Sequence, residues 1–175
     1  MAAARHVELA SEAALTTWAG RVAQAWQAQI IGPVLCGLSG DLGAGKTTWV
    51  RAMLAGLGYQ GRVPSPTYTL LEHYTAVGLD IVHVDLYRLG SNGNAANADT
   101  DLESLGLRDW LAAKRCWMLV EWPERSPRLF ARCDLVIELR GGATAGSRDL
   151  TFVAQSGRGN LLLEGLPSIS ESGSS

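Results

Sequence analysis

Lysine is nearly missing from this chain: of fifteen cationic residues only Lys46 and Lys114 are lysine, and the rest are arginine. Cysteine is scarce too, and the three present form no CxxC pair and no Cys/His cluster, which excludes a structural zinc site of the usual kind. Cys36, Cys116 and Cys133 each lie within an apolar, strand-like run and read as small buried hydrophobes of a reducing compartment. No apolar run reaches membrane-spanning length. The start of the chain has no apolar signal-peptide core, and Glu8 and Glu12 argue against an Arg-rich transit peptide, so a cytoplasmic location without membrane contact is expected. A net charge of −2, with no basic stripe or aromatic platform, excludes a global pull towards nucleic acid, and strong direct nucleic-acid binding is not expected. There is no internal repeat. With 175 residues, 47% hydrophobic and 18% charged, the expectation is one globular domain over residues 1–167 followed by a flexible tail, 168–175.

What the chain does have is Gly40-Asp41-Leu42-Gly43-Ala44-Gly45-Lys46-Thr47, which fits G-x-x-x-x-G-K-[ST]. Its glycines permit backbone angles that a Cβ forbids and let successive N–H groups converge on one anion. In such a loop Lys46 reaches the β- and γ-phosphates, and the Thr47 hydroxyl ligates Mg²⁺. The context agrees: Val34 to Leu38 reads as a buried strand leading in, and Thr48 to Leu54 as a helix whose N-terminal dipole favours the same negative charge. A chain so poor in lysine still has one where a phosphate loop requires it.

Elsewhere the pattern alternates strand and helix. His6 to Leu9 is an expected edge strand. Ser11 is an expected N-cap with Glu12 in the first turn, followed by a helical stripe of Leu15, Trp18, Val22, Trp26 and Ile30. After the loop helix, Pro64-Ser65-Pro66-Thr67 stiffens the connection. Tyr68 to Tyr74 and Leu79 to Asp85 alternate as two strands joined by a 75–78 hairpin, so the sheet cannot be purely parallel. Residues 91–100, small and polar, suit a surface loop. Asp101 is expected to cap a short helix through Leu102, Leu105 and Leu107, with a second from Arg108 to Ala113. Cys116 to Val120 is a buried-strand run delivering Glu121, and Asp134 to Leu139 with Leu150 to Ala154 complete the sheet.

A phosphate loop needs a carboxylate opposite it to hold Mg²⁺ directly or through water. Two strand ends offer one, Asp85 and Glu121, and spacing alone does not rank them. Thr67, in the proline-stiffened loop, sits where nucleotide switches place a hydroxyl, although turn chemistry alone also accounts for it. His73 and His83 alternate along strands and are assigned packing or surface roles. Arg125, Arg128 and Arg132 read as a solvated face.

The runs GDLGAGKTTWVRAMLAGLG, SPTYTLLEHY, VHVDLYRL, DLESLGLRDWL and LVEWPE, in this order, resemble the TsaE (YjeE) family of bacterial P-loop ATPases. The resemblance covers residues 9–124 closely and the rest loosely. It implies a P-loop NTPase-like α/β three-layer sandwich with a mixed, mostly parallel sheet. It also implies ATP and Mg²⁺ as cofactors, and TsaD and TsaB as partners in forming threonylcarbamoyladenosine on tRNA. By the family's pattern, residues Gly40 to Thr48 cradle the nucleotide, with Lys46 also catalytic. Thr47 and Glu121 hold Mg²⁺, and Asp85 positions or activates the attacking water. Thr67 lies in the switch-like loop, and Trp122 is an aromatic functional position. Glu12 falls near the adenine by position alone, and Arg148 is a similar positional candidate. The Asn/Ala-rich 91–100 segment departs from the pattern, which passes almost directly from Tyr87-Arg88-Leu89 to the acidic helix.

Three other functions fit a phosphate loop. A small-molecule kinase usually carries an Arg-bearing lid, and residues 91–100 contain no arginine. A GTPase reads its base with N-K-x-D, and neither lysine here follows an asparagine. A nucleotide-gated binding protein with incidental hydrolysis has no compositional mark against it.

Overall fold

A computed structural model of the chain describes residues 3–29, 32–89 and 106–169. Seven strands form one mixed sheet in the order β1-β7-β6-β2-β5-β4-β3. They are β1 Ala4–Leu9, β2 Val34–Ser39, β3 Leu71–Ala76, β4 Leu79–Asp85, β5 Cys116–Glu121, β6 Leu135–Gly141 and β7 Arg148–Ala154. The helices are α1 Glu12–Gln29, α2 Lys46–Gly56, α3 Leu107–Ala112, α4 Pro127–Phe130 and α5 Gly157–Glu164. The central strands β6, β2, β5 and β4 run parallel. Antiparallel β3 extends one side, and antiparallel β7, itself paired with β1, extends the other.

Helices cover both faces because the central strands are apolar on both. Alternate residues go to opposite layers: Cys36, Leu38, Trp117 and Leu119 pack with α1, α2 and α5, whereas Leu35, Met118 and Val120 pack with Leu107 and Leu129. In the first layer Trp18, Trp49 and Phe152 pack edge to tilt, with ring centroids 5.6 Å apart for Trp18–Phe152 and 5.8 Å for Trp49–Phe152. α1 starts as its sequence implies, with the Ser11 Oγ accepting from the Ala14 amide at 3.1 Å. Its expected stripe is buried at Leu15, Trp18, Val22 and Trp26, while Ile30 lies outside the described residues. So do the 91–100 loop and the Asp101, Leu102 and Leu105 part of the following helix.

Two local expectations change. The strand expected over 68–74 begins at Leu71, because the Leu70 amide donates to the Pro66 carbonyl at 2.7 Å and Leu70 takes φ 64°. Turn formation after Pro66 outweighs the alternation of Tyr68, Thr69 and Leu70. The second is α5, which the sequence reading passed over. Ser156 caps it through Gly159 and Leu162 and Leu163 bury against the sheet, but Gly157 and Gly159 hide the helical pattern.

α1 and α2 cross at near backbone contact. A Cβ on Gly56 would lie 2.5 Å from the Gly20 Cα, whereas a Cβ on Gly20 meets nothing closer than 3.5 Å. The two substitutions therefore have opposite expectations. Gly56→Ala should cost about 1–3 kcal/mol as overpacking, a fall of roughly 3–10 °C in Tm. Gly20→Ala, in a helix interior, should leave Tm unchanged or slightly raised. Equal Tm values in thermal melts would contradict this crossing.

All three cysteines are free and buried. Burial pushes the thiols up, Cys116 to about 11 and Cys133 to about 12, and Cys36 well above its ordinary value. A disulfide-exchange reagent should leave the native thiols unlabelled and titrate all three in denaturant. Unfolded thiols ionise around pH 8.5 while the folded ones stay protonated. Their contribution is thus complete below that pH and lost as pH rises through the folded values. The urea midpoint should fall between about pH 8 and about pH 10.5; an unchanged midpoint would contradict the burial.

Candidate functional site

The Gly40–Thr47 loop connects β2 to α2 at the carboxyl end of the parallel strands, where open α/β sheets bind ligands. Gly40 takes φ 138°, and any Cβ there would overlap the Leu139 carbonyl oxygen, so this position is closed to other residues. Gly45 caps α2 in a left-handed conformation, φ 107°, and turns Lys46 and Thr47 into the first helical turn. The loop roofs a cavity of about 230 Å³ lined by Leu42, Gly43, Gly45, Lys46, Thr47, Thr48, Ser65, Thr67, Asp85, Tyr87, Glu121 and Trp122.

Three buried charges meet in it: Lys46 is 4% exposed, and Asp85 and Glu121 are each 3% exposed. Asp85 and Glu121 are register partners at the ends of β4 and β5, so neighbouring parallel strands deliver both carboxylates to one level. Each is engaged. The Thr47 hydroxyl donates to Glu121 Oε1 at 2.7 Å. The Thr67 hydroxyl donates to Asp85 Oδ2 at 2.8 Å, and the Tyr87 amide to Asp85 Oδ1 at 2.8 Å. The turn that displaces the start of β3 is what carries Thr67 to Asp85, since the Asp85 amide also donates to the Leu70 carbonyl at 3.0 Å.

Lys46 Nζ donates to the carbonyls of Gly40 at 2.6 Å and Asp41 at 2.8 Å, and lies 3.9 Å from the centre of the Trp122 ring. Burial lowers its pKa, against the opposing pull of Glu121, Glu124, Asp85 and Asp41. Trp122 holds its ring there from a left-handed backbone, φ 59°, anchored by its amide on the Leu38 carbonyl at 3.1 Å. Tyr87 stacks at 5.2 Å from Trp122, and Arg125 leans over both rings.

The donors suit a hard divalent cation: a hydroxyl that gives its hydrogen to Glu121 keeps lone pairs for a metal, and both carboxylates offer oxygen. Sulfur is absent from the lining. Thr47, Glu121 and Asp85 are the residues that could hold Mg²⁺.

The structure thus gathers Leu42, Gly43, Gly45, Lys46, Thr47, Thr48, Thr67, Asp85, Glu121 and Trp122 around one cavity, with Gly40, Asp41 and Ala44 in the same loop. Glu12 and Arg148 are not in its lining. Glu12 is exposed at the start of α1, one turn before Leu15, which packs against Gly45. Arg148 Nε donates to the Ala44 carbonyl at 3.1 Å, bracing the loop from behind. Of the three arginines read as a solvated face, Arg128 and Arg132 are exposed and Arg125 is half-buried at the aromatic rim. His73 is exposed, 2.9 Å from Asp80 and away from the cavity. Sequence reasoning gave no site role to Ser65 or Tyr87, and it assigned His83 to packing or the surface. The signal for His83 was its spacing two residues before Asp85, on the same face of β4.

A family model described as threonylcarbamoyl adenosine biosynthesis protein TsaE matches residues 9–150. The tRNA threonylcarbamoyladenosine biosynthesis protein TsaE of Haemophilus influenzae is 39% identical over 126 residues, 72% of this chain and 73% of that one. The protein of the same name from Bacillus subtilis is 35% identical over 133 residues, 74% and 75% of the two chains. The crystal structure of Bacillus subtilis YdiB superposes with a TM-score of 0.70 at 26% identity, covering 95% of both chains. On these grounds this chain belongs to the TsaE family.

Proposed function

We propose that this chain is an ATPase that binds and hydrolyses Mg-ATP in the cytoplasm, and that its cycle serves threonylcarbamoyladenosine modification of tRNA by a TsaD–TsaB complex. The observation that carries the reading is the Thr47–Glu121 hydrogen bond directly beneath a phosphate loop, with Asp85 at the same level one strand away. The pathway and the partners rest on the family and the names of its members. Among the described residues no helix is long and apolar enough to cross a membrane.

In this reading Lys46 leaves the Gly40 and Asp41 carbonyls for the β- and γ-phosphates, where its charge is better matched. Thr47 and Glu121 would hold Mg²⁺, with the Thr47 hydrogen kept on Glu121. Bound Mg²⁺ supplies neutralisation of the phosphate charge. Asp85, with one oxygen held by Thr67 and the other by Tyr87, is fixed well enough to orient an attacking water and accept its proton. Thr67 shares its hydroxyl with Ser65 Oγ at 2.9 Å, so the Pro64–Thr67 loop is tied to the acid that faces the γ-phosphate. Trp122 lines the cavity and Arg148 braces Ala44, and Glu12, at the head of α1, is assigned to adenine by family position alone.

Asp85→Asn is the decisive substitution. Its shape hardly changes, so Mg-ATP binding should persist within a few-fold, while hydrolysis falls by about 10²–10⁴-fold. With TsaD, TsaB and tRNA added, the variant should fail to sustain repeated rounds of modification. A kinase would instead transfer phosphate to a small acceptor without needing those proteins. Wild-type modification over many turnovers by Asp85→Asn would overturn the role given to this acid.

A further inference from the structure

His83 is wholly buried, at 0% exposure, in the middle of β4. Its Nε2 lies 2.7 Å from Glu121 Oε1, the same oxygen that takes the Thr47 hydroxyl at 2.7 Å. The other ring nitrogen, Nδ1, is buried with no hydrogen-bond partner among the described residues. This pattern fixes the tautomer. A carboxylate can only accept, so the hydrogen sits on Nε2, and a hydrogen on Nδ1 would be a buried donor with nothing to receive it. His83 therefore aims an Nε2–H donor at Glu121.

A buried position in a strand interior is ordinarily filled by an aliphatic side chain, as at Ile81, Val82 and Val84 on the same strand. Here an imidazole is kept, with one nitrogen unsatisfied, and its one bond goes to the acid under the phosphate loop. Two donors on Oε1 hold the carboxylate in one rotation and leave Oε2 engaged by neither.

We propose that His83 is a positioning residue for the divalent cation: it locks the Glu121 carboxylate through Nε2–H, and so sets how strongly Mg²⁺ couples to the bound nucleotide. The inference rests on the nucleotide reading given above. It concerns coupling rather than the existence of the site, so the two fail separately.

The test uses His83→Gln and His83→Asn, with ATP affinity measured by titration calorimetry in Mg²⁺ and in EDTA. The glutamine amide nitrogen reaches the place of Nε2, whereas the asparagine amide falls about one bond short. In EDTA all three proteins should bind ATP alike. In Mg²⁺ the wild type and His83→Gln should tighten to a similar degree, and His83→Asn should lose about tenfold or more of that gain, as outer partners of metal ligands typically do. A residue that merely fills the core would weaken both conditions together and would not be rescued by Gln. A gain in His83→Asn within twofold of wild type overturns the proposal; absence of any Mg²⁺ effect in the wild type overturns the nucleotide reading instead. If the asparagine variant does not fold, the wild type decides by ¹⁵N-histidine spectra with ADP, before and after Mg²⁺. The expected result is hydrogen on Nε2 and a change at Nε2 when Mg²⁺ is added. A bare Nε2, or His83 signals unmoved by Mg²⁺, overturns it.

Discussion

A carboxylate buried at the end of a central strand is the constraint around which the site is arranged. Glu121, 3% exposed, would be costly to bury ionised without donors, and it has two, from Thr47 on α2 and His83 on β4. Those bonds tie together the phosphate loop, the strand beside it and the strand bearing Asp85. Removing the acid would leave a half-buried hydroxyl and a buried imidazole without their acceptor, which couples the integrity of the cavity floor to the residue assigned to the metal.

The sheet makes this constraint possible. β2, β5 and β4 run parallel and adjacent, so the loop after β2 and the terminal acids of β5 and β4 emerge at one end. Lys46 completes the set in a form ready to be exchanged. A cation–π contact with Trp122 contributes about 0.5–2 kcal/mol, and its carbonyl bonds are ordinary charge-to-dipole ones, whereas phosphate offers a full opposing charge. The same desolvation that lowers the lysine pKa also strengthens its attraction to an anion entering the cavity.

Much of this was legible in the chain because the relevant signals are local. The loop, the strand before it and the helix after it occupy consecutive residues, Glu121 ends an unbroken apolar run, and Asp85 ends a strand whose apolar pattern is interrupted by His83. Only pairing settles how the two acids differ: the partner strands put Glu121 on Thr47 and Asp85 on Thr67, which neither acid's own neighbourhood reveals. The contact of His83 with Glu121 was not legible for the same reason, since the two are 38 residues apart. The late start of β3 reflects competition between alternation and a proline turn, and α5 was hidden by two glycines in its first turn. In both places weak local propensity yields to capping or turn geometry. The position of Trp122 depends on a left-handed backbone that no composition signals.

The central claim, that the Gly40–Thr47 loop and the buried Lys46 form a triphosphate site, is tested most directly by calorimetric titration of ATP into the wild type and Lys46→Ala. The account predicts one ATP bound per wild-type chain. It predicts a loss of about 10- to 100-fold in affinity when the charge-assisted contacts of the ammonium are removed. The same ATP affinity in Lys46→Ala as in the wild type would contradict it.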